Sequence, residues 1–349
     1  IEMAGAPIMP TPAAVGVIME TIAKREHLNL IGVDIGGATT DVFSVFEGLF
    51  NRTVSANLGM SYSISNVLAE AGLANIMRWV PFTIDEQTLR NRIKNKMVRP
   101  TTIPQTLDEL QIEHAIAREA LRLALIHHKS LATTLKGIQQ ERTISDVFEQ
   151  QQSGKTLIDM LKLDLIVGSG GILSHAPRRV QSMLMMVDAY EPLGVTRLSV
   201  DSIFMMPHLG VLSTINEKAA TDVFVRDCMV YLGTCVAPIG QGKSGERCAD
   251  YVITFPDGRV DKGQLAFGDL QLIPLASDQK ASIAIQPVKQ VNLGAGAGVS
   301  ITRDVQGGVV GLMLDGRGRP LQLPTDHAAR VAALTKWYQA VDLYPKSDV

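Results

Sequence analysis

The stretch IGVDIGGATTDV, residues 31–42, is where the fold can first be read. Leu30 to Ile35 is an apolar run that reads as a buried strand, and it stops at two consecutive glycines and two threonines. TDVFSVFEG, residues 40–48, then alternates like a second strand that Gly48 closes as a hairpin, and a third strand is expected near RTVSANLG, residues 52–59. Glycine lets a backbone approach a ligand closely and take positive φ, so consecutive amides of a Gly36–Gly37–Ala38–Thr39–Thr40 turn can converge on one anion. Thr39 and Thr40 add hydroxyl donors. Asp34, at the strand end, is placed to hold magnesium through its water shell, since that ion takes one or two carboxylates plus phosphates. Taken alone, the same residues also fit a plain hairpin or bulge.

A second glycine turn strengthens the phosphate reading. LIVGSGGILSHAP, residues 165–177, is again strand, turn and helix, which places Gly168, Ser169, Gly170 and Gly171 against a flat ligand beside the helix that follows. Two such turns separated by a long helical stretch suit a nucleotide bound between subdomains. Other glycine runs do not carry that reading. The GKS at 242–244 lacks the P-loop glycine, because Ala237 stands five residues before Gly242. No G-x-G-x-x-G follows these strands, so a dinucleotide fingerprint is unsupported. LGAGAGVS, residues 293–300, reads as a strand edge or tight-packing element.

With 349 residues, 46% of them hydrophobic, the chain can bury the cores of two or more domains. A net charge of -2 leaves no electrostatic footprint for nucleic acid or an acidic membrane, and neither is expected as a partner. The longest apolar runs are interrupted by glycine and fall short of the roughly 20 residues of a membrane span. Cys228, Cys235 and Cys248 match neither a zinc pattern nor a compact disulfide framework, so a reducing, cytoplasmic setting is expected. The chain opens on Ile1 with no charged-then-apolar leader, and a fragment of a longer polypeptide is expected.

Along the chain, Pro12 and the run at 13–25 predict a first helix. Helical patterns run from Ser61 to about Leu163, notably over 106–138 with Thr106 as cap. His114, His127 and His128 lack metal-ligand spacing, and Met183, Leu184 and Val187 form a packing stripe. Beyond Gly210, turn signals such as FPDGRV and LDGRGRP separate short strands. The expected organisation is an α/β nucleotide-binding subdomain over 1–60 and 160–210, a helical insertion over 61–159, a β-rich C-terminal domain over 211–330, and a terminal helix or tail over 331–349. In that tail Trp337 and Tyr338 fit either core docking or an interface.

DIGGATTDV resembles the second phosphate motif, and VGSGGILSHAP the adenosine motif, of the actin, heat-shock chaperone and sugar-kinase ATPase superfamily, in the same order and with a helical insertion between them. SHAPRR, DSIFMMPHLGVLS and the stretch from YLGTCVAPIGQGKSGE onward resemble the MutL-type (GlmL) accessory proteins of glutamate mutase and related cobalamin-dependent aminomutases, which are not the mismatch-repair protein of the same name. The resemblance implies an actin-like (ribonuclease H-like) ATPase lobe with a helical insertion and a β-rich C-terminal domain. It also implies ATP/ADP and magnesium as ligands, and a role as an ATP-dependent accessory or reactivating chaperone for cobalamin-dependent mutase subunits. Under it, Asp34 organises magnesium, Gly36, Gly37, Ala38, Thr39 and Thr40 contact the β- and γ-phosphates, and Gly168, Ser169, Gly170 and Gly171 line the adenosine. Asp41 fixes the turn, caps it locally or orients water. The superfamily's first phosphate hairpin is not found before Leu30, so the chain resembles a second lobe, and weak nucleotide binding with little hydrolysis is expected from it alone. Two other readings stay open: a subunit of an ATP-dependent hydantoinase or oxoprolinase, with His175 and His208 as candidate bases, and a noncatalytic actin-like scaffold.

Overall fold

A computed structural model describes residues 8–133 and 156–345. Helix α1 (Thr11–Glu26) carries Pro12 in its first turn, where a missing N–H breaks no helical bond, and buries Val15, Ile18, Met19 and Ile22 as one stripe. Strands β1 (Leu30–Ile35), β2 (Thr40–Phe46) and β3 (Leu49–Ser55) then form an antiparallel meander. Between β2 and β3, Glu47 and Gly48 have φ of 51° and 79°, the pair of positive angles that matches strand twist in a two-residue turn.

Helices α2 (Ile64–Ala71), α3 (Leu73–Met77), α4 (Glu86–Val98) and α5 (Leu107–Leu131) follow. The expected cap opens α5: the Thr106 hydroxyl accepts the Glu109 N–H while the Glu109 carboxylate accepts the Thr106 N–H. The rest of the helical pattern at 134–138, and the insertion as far as 155, lie outside the described residues. Next come β4 (Leu165–Ser169), α6 (Gly171–Ser174), α7 (Arg179–Tyr190), β5 (Gly194–Asp201), α8 (Met206–Ser213), α9 (Glu217–Val223) and β6 (Met229–Ala237). The chain continues through β7 (Arg247–Thr254), β8 (Val260–Ala266), β9 (Leu270–Ile273), β10 (Lys280–Pro287), β11 (Ile301–Gln306), β12 (Gly311–Asp315) and α10 (His327–Ala340).

Eight strands make one mixed sheet in the order β3-β2-β1-β4-β5-β6-β12-β9, with β1, β4 and β5 parallel. Its buried strands are apolar on both faces because both are covered. On one side α1 and α8 pack Ile18, Met19 and Leu209 against Leu30, Phe43 and Val167. On the other, α5 and α7 pack Ile116, Leu121, Leu184 and Met186 against Ile31, Val33 and Ile166. The packing stripe on α7 is therefore core. A second, antiparallel sheet, β11-β10-β7-β8, closes over Val236, Leu312 and Leu314 with Ile253, Ile283 and Ile285.

The stretch expected to be β-rich from 211 begins with helices: Asn216 Oδ1 accepts the Ala219 N–H at 3.0 Å and starts α9, and the strands begin only at Met229. From the same stretch β6, β9 and β12 join the large sheet, while four strands make the small one. Trp337 and Tyr338 of α10 are buried, and their polar atoms donate to Gly268 O (2.8 Å) and Trp79 O (3.1 Å). They dock into the core.

A chain of ions runs through that core. Arg118 of α5 pairs with Asp188 of α7 at 2.7 Å, Asp188 with Arg317 at 2.8 Å, and Asp315 with both Arg317 (2.8 Å) and Arg319 (2.7 Å). Despite its burial, Asp315 is held well below the usual carboxylate range by the two guanidinium groups. His128 is buried between Thr53 Oγ1 (2.9 Å) and Ser44 Oγ (2.7 Å), fastening α5 to β2 and β3. Burial lowers its pKa to about 4 and that of His114 to about 3, so both stay neutral.

Candidate functional site: two glycine turns on one cleft

Because β1 and β4 are parallel neighbours, with Asp34 opposite Ser169, the two glycine turns leave the sheet side by side. That edge, outside the carboxyl ends of parallel strands, is where open α/β sheets place ligands. In the first turn Gly36 N–H closes on Thr39 O at 2.9 Å. The Gly36 carbonyl accepts Met60 N–H at 3.0 Å, and the Gly37 carbonyl accepts Ser61 N–H at 2.9 Å. The segment 60–63 thus takes up the carbonyls, while the amides of Gly37, Ala38 and Thr39 have no acceptor among the described residues. Three free, successive N–H groups are the makings of an anion nest.

Gly170 locks the second turn to the first. Its φ is +95°, and a Cβ there would lie 2.1 Å from the Ile35 carbonyl oxygen, so only glycine lets the turns touch. Gly171 is the reverse case: a Cβ would meet nothing within 4 Å. Between the turns opens a cleft of about 890 Å³. Gly36, Gly37 and Gly171 line it together with Ser61, the connection at 100–107 that joins α4 to α5, and Ile172 and residues 175–178 between β4 and α7. A nucleotide-sized ligand fits that volume.

Not every residue predicted from the sequence reaches the cleft. Thr40 is fully buried and its hydroxyl donates to Leu58 O, which corrects the expectation of a free donor there. Gly168 and Ser169 are buried in β4 rather than facing a ligand. Gly168 is a glycine because a Cβ would sit 2.7 Å from Met186 Sδ. The GAGAG loop is closed on itself, since Asn292 Oδ1 accepts the N–H groups of Gly294 (2.7 Å) and Gly296 (3.0 Å). His175 lines the cleft at the end of α6, whereas His208 is exposed on α8.

Electrostatics single out Asp34. Burial, then the nearby charges of Asp41 and Asp201, raise its pKa to about 6. Asp41 is compensated by Arg52 at 3.0 Å, and Asp201 at the end of β5 accepts the N–H groups of Ile203 and Met206, both at 3.2 Å. Ser169 Oγ, buried on the neighbouring strand, faces the Asp34 carboxylate and opposes that rise. Among the described residues no three His, Cys, Asp or Glu side chains gather as a metal-binding group. One carboxylate under repulsion from two others suits a magnesium ion that draws its remaining ligands from phosphate and water. The sequence reading missed Asp201, Ser61, Lys96 and the 100–107 wall. Gly59 lets the segment 60–63 close on the first turn, since a Cβ there would lie 2.4 Å from Gly37 O.

Fold and site define a mixed α/β protein in which two interlocked glycine turns open on one cleft. The chain belongs to the MutL protein family, which it matches over residues 1–228. Among curated proteins it is similar to Protein MutL of Clostridium tetanomorphum, with 26% identity over 234 residues, 59% of this chain and 47% of the relative. It thus spans about half of that relative's length. Among solved structures it overlaps component A of (R)-2-hydroxyglutaryl-CoA dehydratase from Acidaminococcus fermentans, at 12% identity over 61% of this chain and 69% of the other, with a TM-score of 0.29. That score carries no argument about fold or activity. No described helix is long and apolar enough to cross a membrane.

Proposed function

We propose that this chain binds an adenine nucleotide with magnesium between its glycine turns and serves as part of an ATP-dependent accessory protein, a reactivating chaperone, for a cobalamin-dependent mutase. The observation that carries the nucleotide reading is the row of free amides at Gly37, Ala38 and Thr39, in the turn whose Gly36 and Gly37 line the cleft. The strand order β3-β2-β1-β4-β5 with β2 reversed supports the finer reading of this region as an actin-like lobe, and family membership supports the mutase partner.

In this reading the amides of the first turn hold the phosphates, and Asp34 holds magnesium through water. When bound, the ion would neutralise phosphate charge. Gly171 leaves room for the nucleoside, with Ile172, Pro177 and Arg178 as its neighbours. Nucleotide can drive a partner's cycle only through a difference in affinity between two states. Titrating the protein with a cobalamin-dependent mutase in Mg-ATP and in Mg-ADP should therefore give dissociation constants about tenfold apart or more. Equal affinities in the two nucleotides would remove the accessory role.

A further inference from the structure

The second half of α5 carries Arg122, Leu125, Ile126 and Lys129 on one stripe, at spacings of three and four. This stripe forms a wall of a second cavity, about 570 Å³, whose other walls include Arg78 and the end of α7 at Tyr190. It is not part of the nucleotide cleft, which takes Leu107, Leu110 and His114 from the first turns of α5. Fifteen residues separate Leu107 from Arg122, about 22 Å along a helix.

The cations here are held in place. Glu119 is fully buried and works as a bracket: its Oε1 accepts Arg78 Nη2 at 2.7 Å and Trp79 Nε1 at 2.8 Å, and its Oε2 accepts Arg122 Nη2 at 2.6 Å and Nε at 2.8 Å. One carboxylate thus fixes two guanidinium groups, and each keeps its Nη1 without an acceptor among the described residues. Both side chains are about a quarter exposed, at 29% and 25%. Lys129 forms no ion pair among the described residues, and burial holds its pKa below the usual value against the pull of Glu191, which also lines the cavity. Glu191 accepts the Leu321 N–H at 2.7 Å. Arg78, Arg122 and Lys129 thus share two carboxylates, Glu119 and Glu191, and the cation left over beside the cavity is charge that a bound oxyanion would neutralise.

We propose that the cavity between α3, the second half of α5 and the end of α7 is a binding site for a small multivalent oxyanion, a phosphate ester or polycarboxylate, gripped by Arg78, Arg122 and Lys129. The site is independent of the nucleotide cleft.

The test is a calorimetric titration of the protein with inorganic phosphate and with citrate, in parallel with the variants Lys129→Gln, Arg122→Gln and Gly171→Val. Lys129→Gln breaks no ion pair among the described residues, so it reads binding without a folding penalty even where Arg122→Gln loosens the Glu119 bracket. At least one probe should bind, more weakly by about tenfold in each of the two α5 variants, as expected for loss of a charged contact. The same probe should bind Gly171→Val, which fills the nucleotide cleft, with unchanged affinity. Hydrogen exchange should slow at 120–131 on adding the anion. No binding of either probe at 10 mM, roughly the weak limit of such contacts, overturns the site. So does binding that Lys129→Gln leaves intact, or binding that Gly171→Val removes.

Discussion

Gly170 and Gly171 are adjacent and identical in sequence, yet they do opposite things. Gly170 is needed by the fold: Gly170→Ala would force a Cβ into the Ile35 carbonyl at positive φ, and thermal denaturation should register a loss of about 2 kcal/mol or more. Gly171→Ala should leave the melting temperature unchanged, since its Cβ enters open space. Asp34 makes a second prediction. A carboxylate whose folded pKa is raised from 3.8 to about 6 destabilises the fold as pH climbs through that interval, because the folded protein resists the charge. Asp34→Asn should match the wild type in stability below pH 4 and exceed it by up to about 3 kcal/mol at pH 7, while losing magnesium-dependent nucleotide binding. Urea denaturation across that range checks it, and a constant difference would contradict the account. At this scale the sequence was a partial guide. It marked every glycine of the two turns, but Gly168 serves Met186 and Thr40 serves Leu58, and only three-dimensional neighbours distinguish those from Gly36, Gly37 and Gly171.

Elements were more legible where their signals are local. Leu30–Ile35 reads as a strand from its apolar run, and the start of α5 from Thr106 and Glu109. Thr106→Ala removes that capping box and should cost about 1 kcal/mol. Since Thr106 and Leu107 also line the cleft, nucleotide affinity should fall with it. The helices at 206–223 escaped notice although Asn216 carried a cap signal, because the glycines and turn motifs beyond them dominated the composition. What no local pattern announces is the buried ion chain: Arg118, Asp188 and Arg317 are separated by 70 residues or more and meet only when α5, α7 and the turn after β12 pack. Asp188→Ala would leave the buried Arg118 guanidinium without its carboxylate and Arg317 with Asp315 alone, and chemical denaturation should record a loss of about 3–5 kcal/mol.

Across the whole molecule, the mixed sheet brings distant segments to one edge. The turns at 36–40 and 168–171 are more than a hundred residues apart and become neighbours through the β1–β4 pairing alone. Resemblance to a lobe architecture anticipated that meeting, whereas periodicity gave each strand without its partner. The merging of β6, β9 and β12 into the same sheet depends on long-range pairing that turn signals do not encode. On the proposed reading the first turn offers the phosphates backbone amides and one nearby carboxylate, so ATP hydrolysis by this chain should be slow. A steady-state phosphate-release assay decides that point.

The central claim is that nucleotide lies between the two glycine turns. It is tested most directly by calorimetry with Mg-ATP on the wild type and on Gly171→Val, whose Cβ meets nothing within 4 Å and whose side chain enters the cleft, with a thermal melt to check that the variant folds. Binding to the wild type that weakens about tenfold or more in the variant is the predicted result. Equal binding by both would place the nucleotide elsewhere, and no binding to the wild type would leave the free amides of Gly37, Ala38 and Thr39 as a feature of the turn alone.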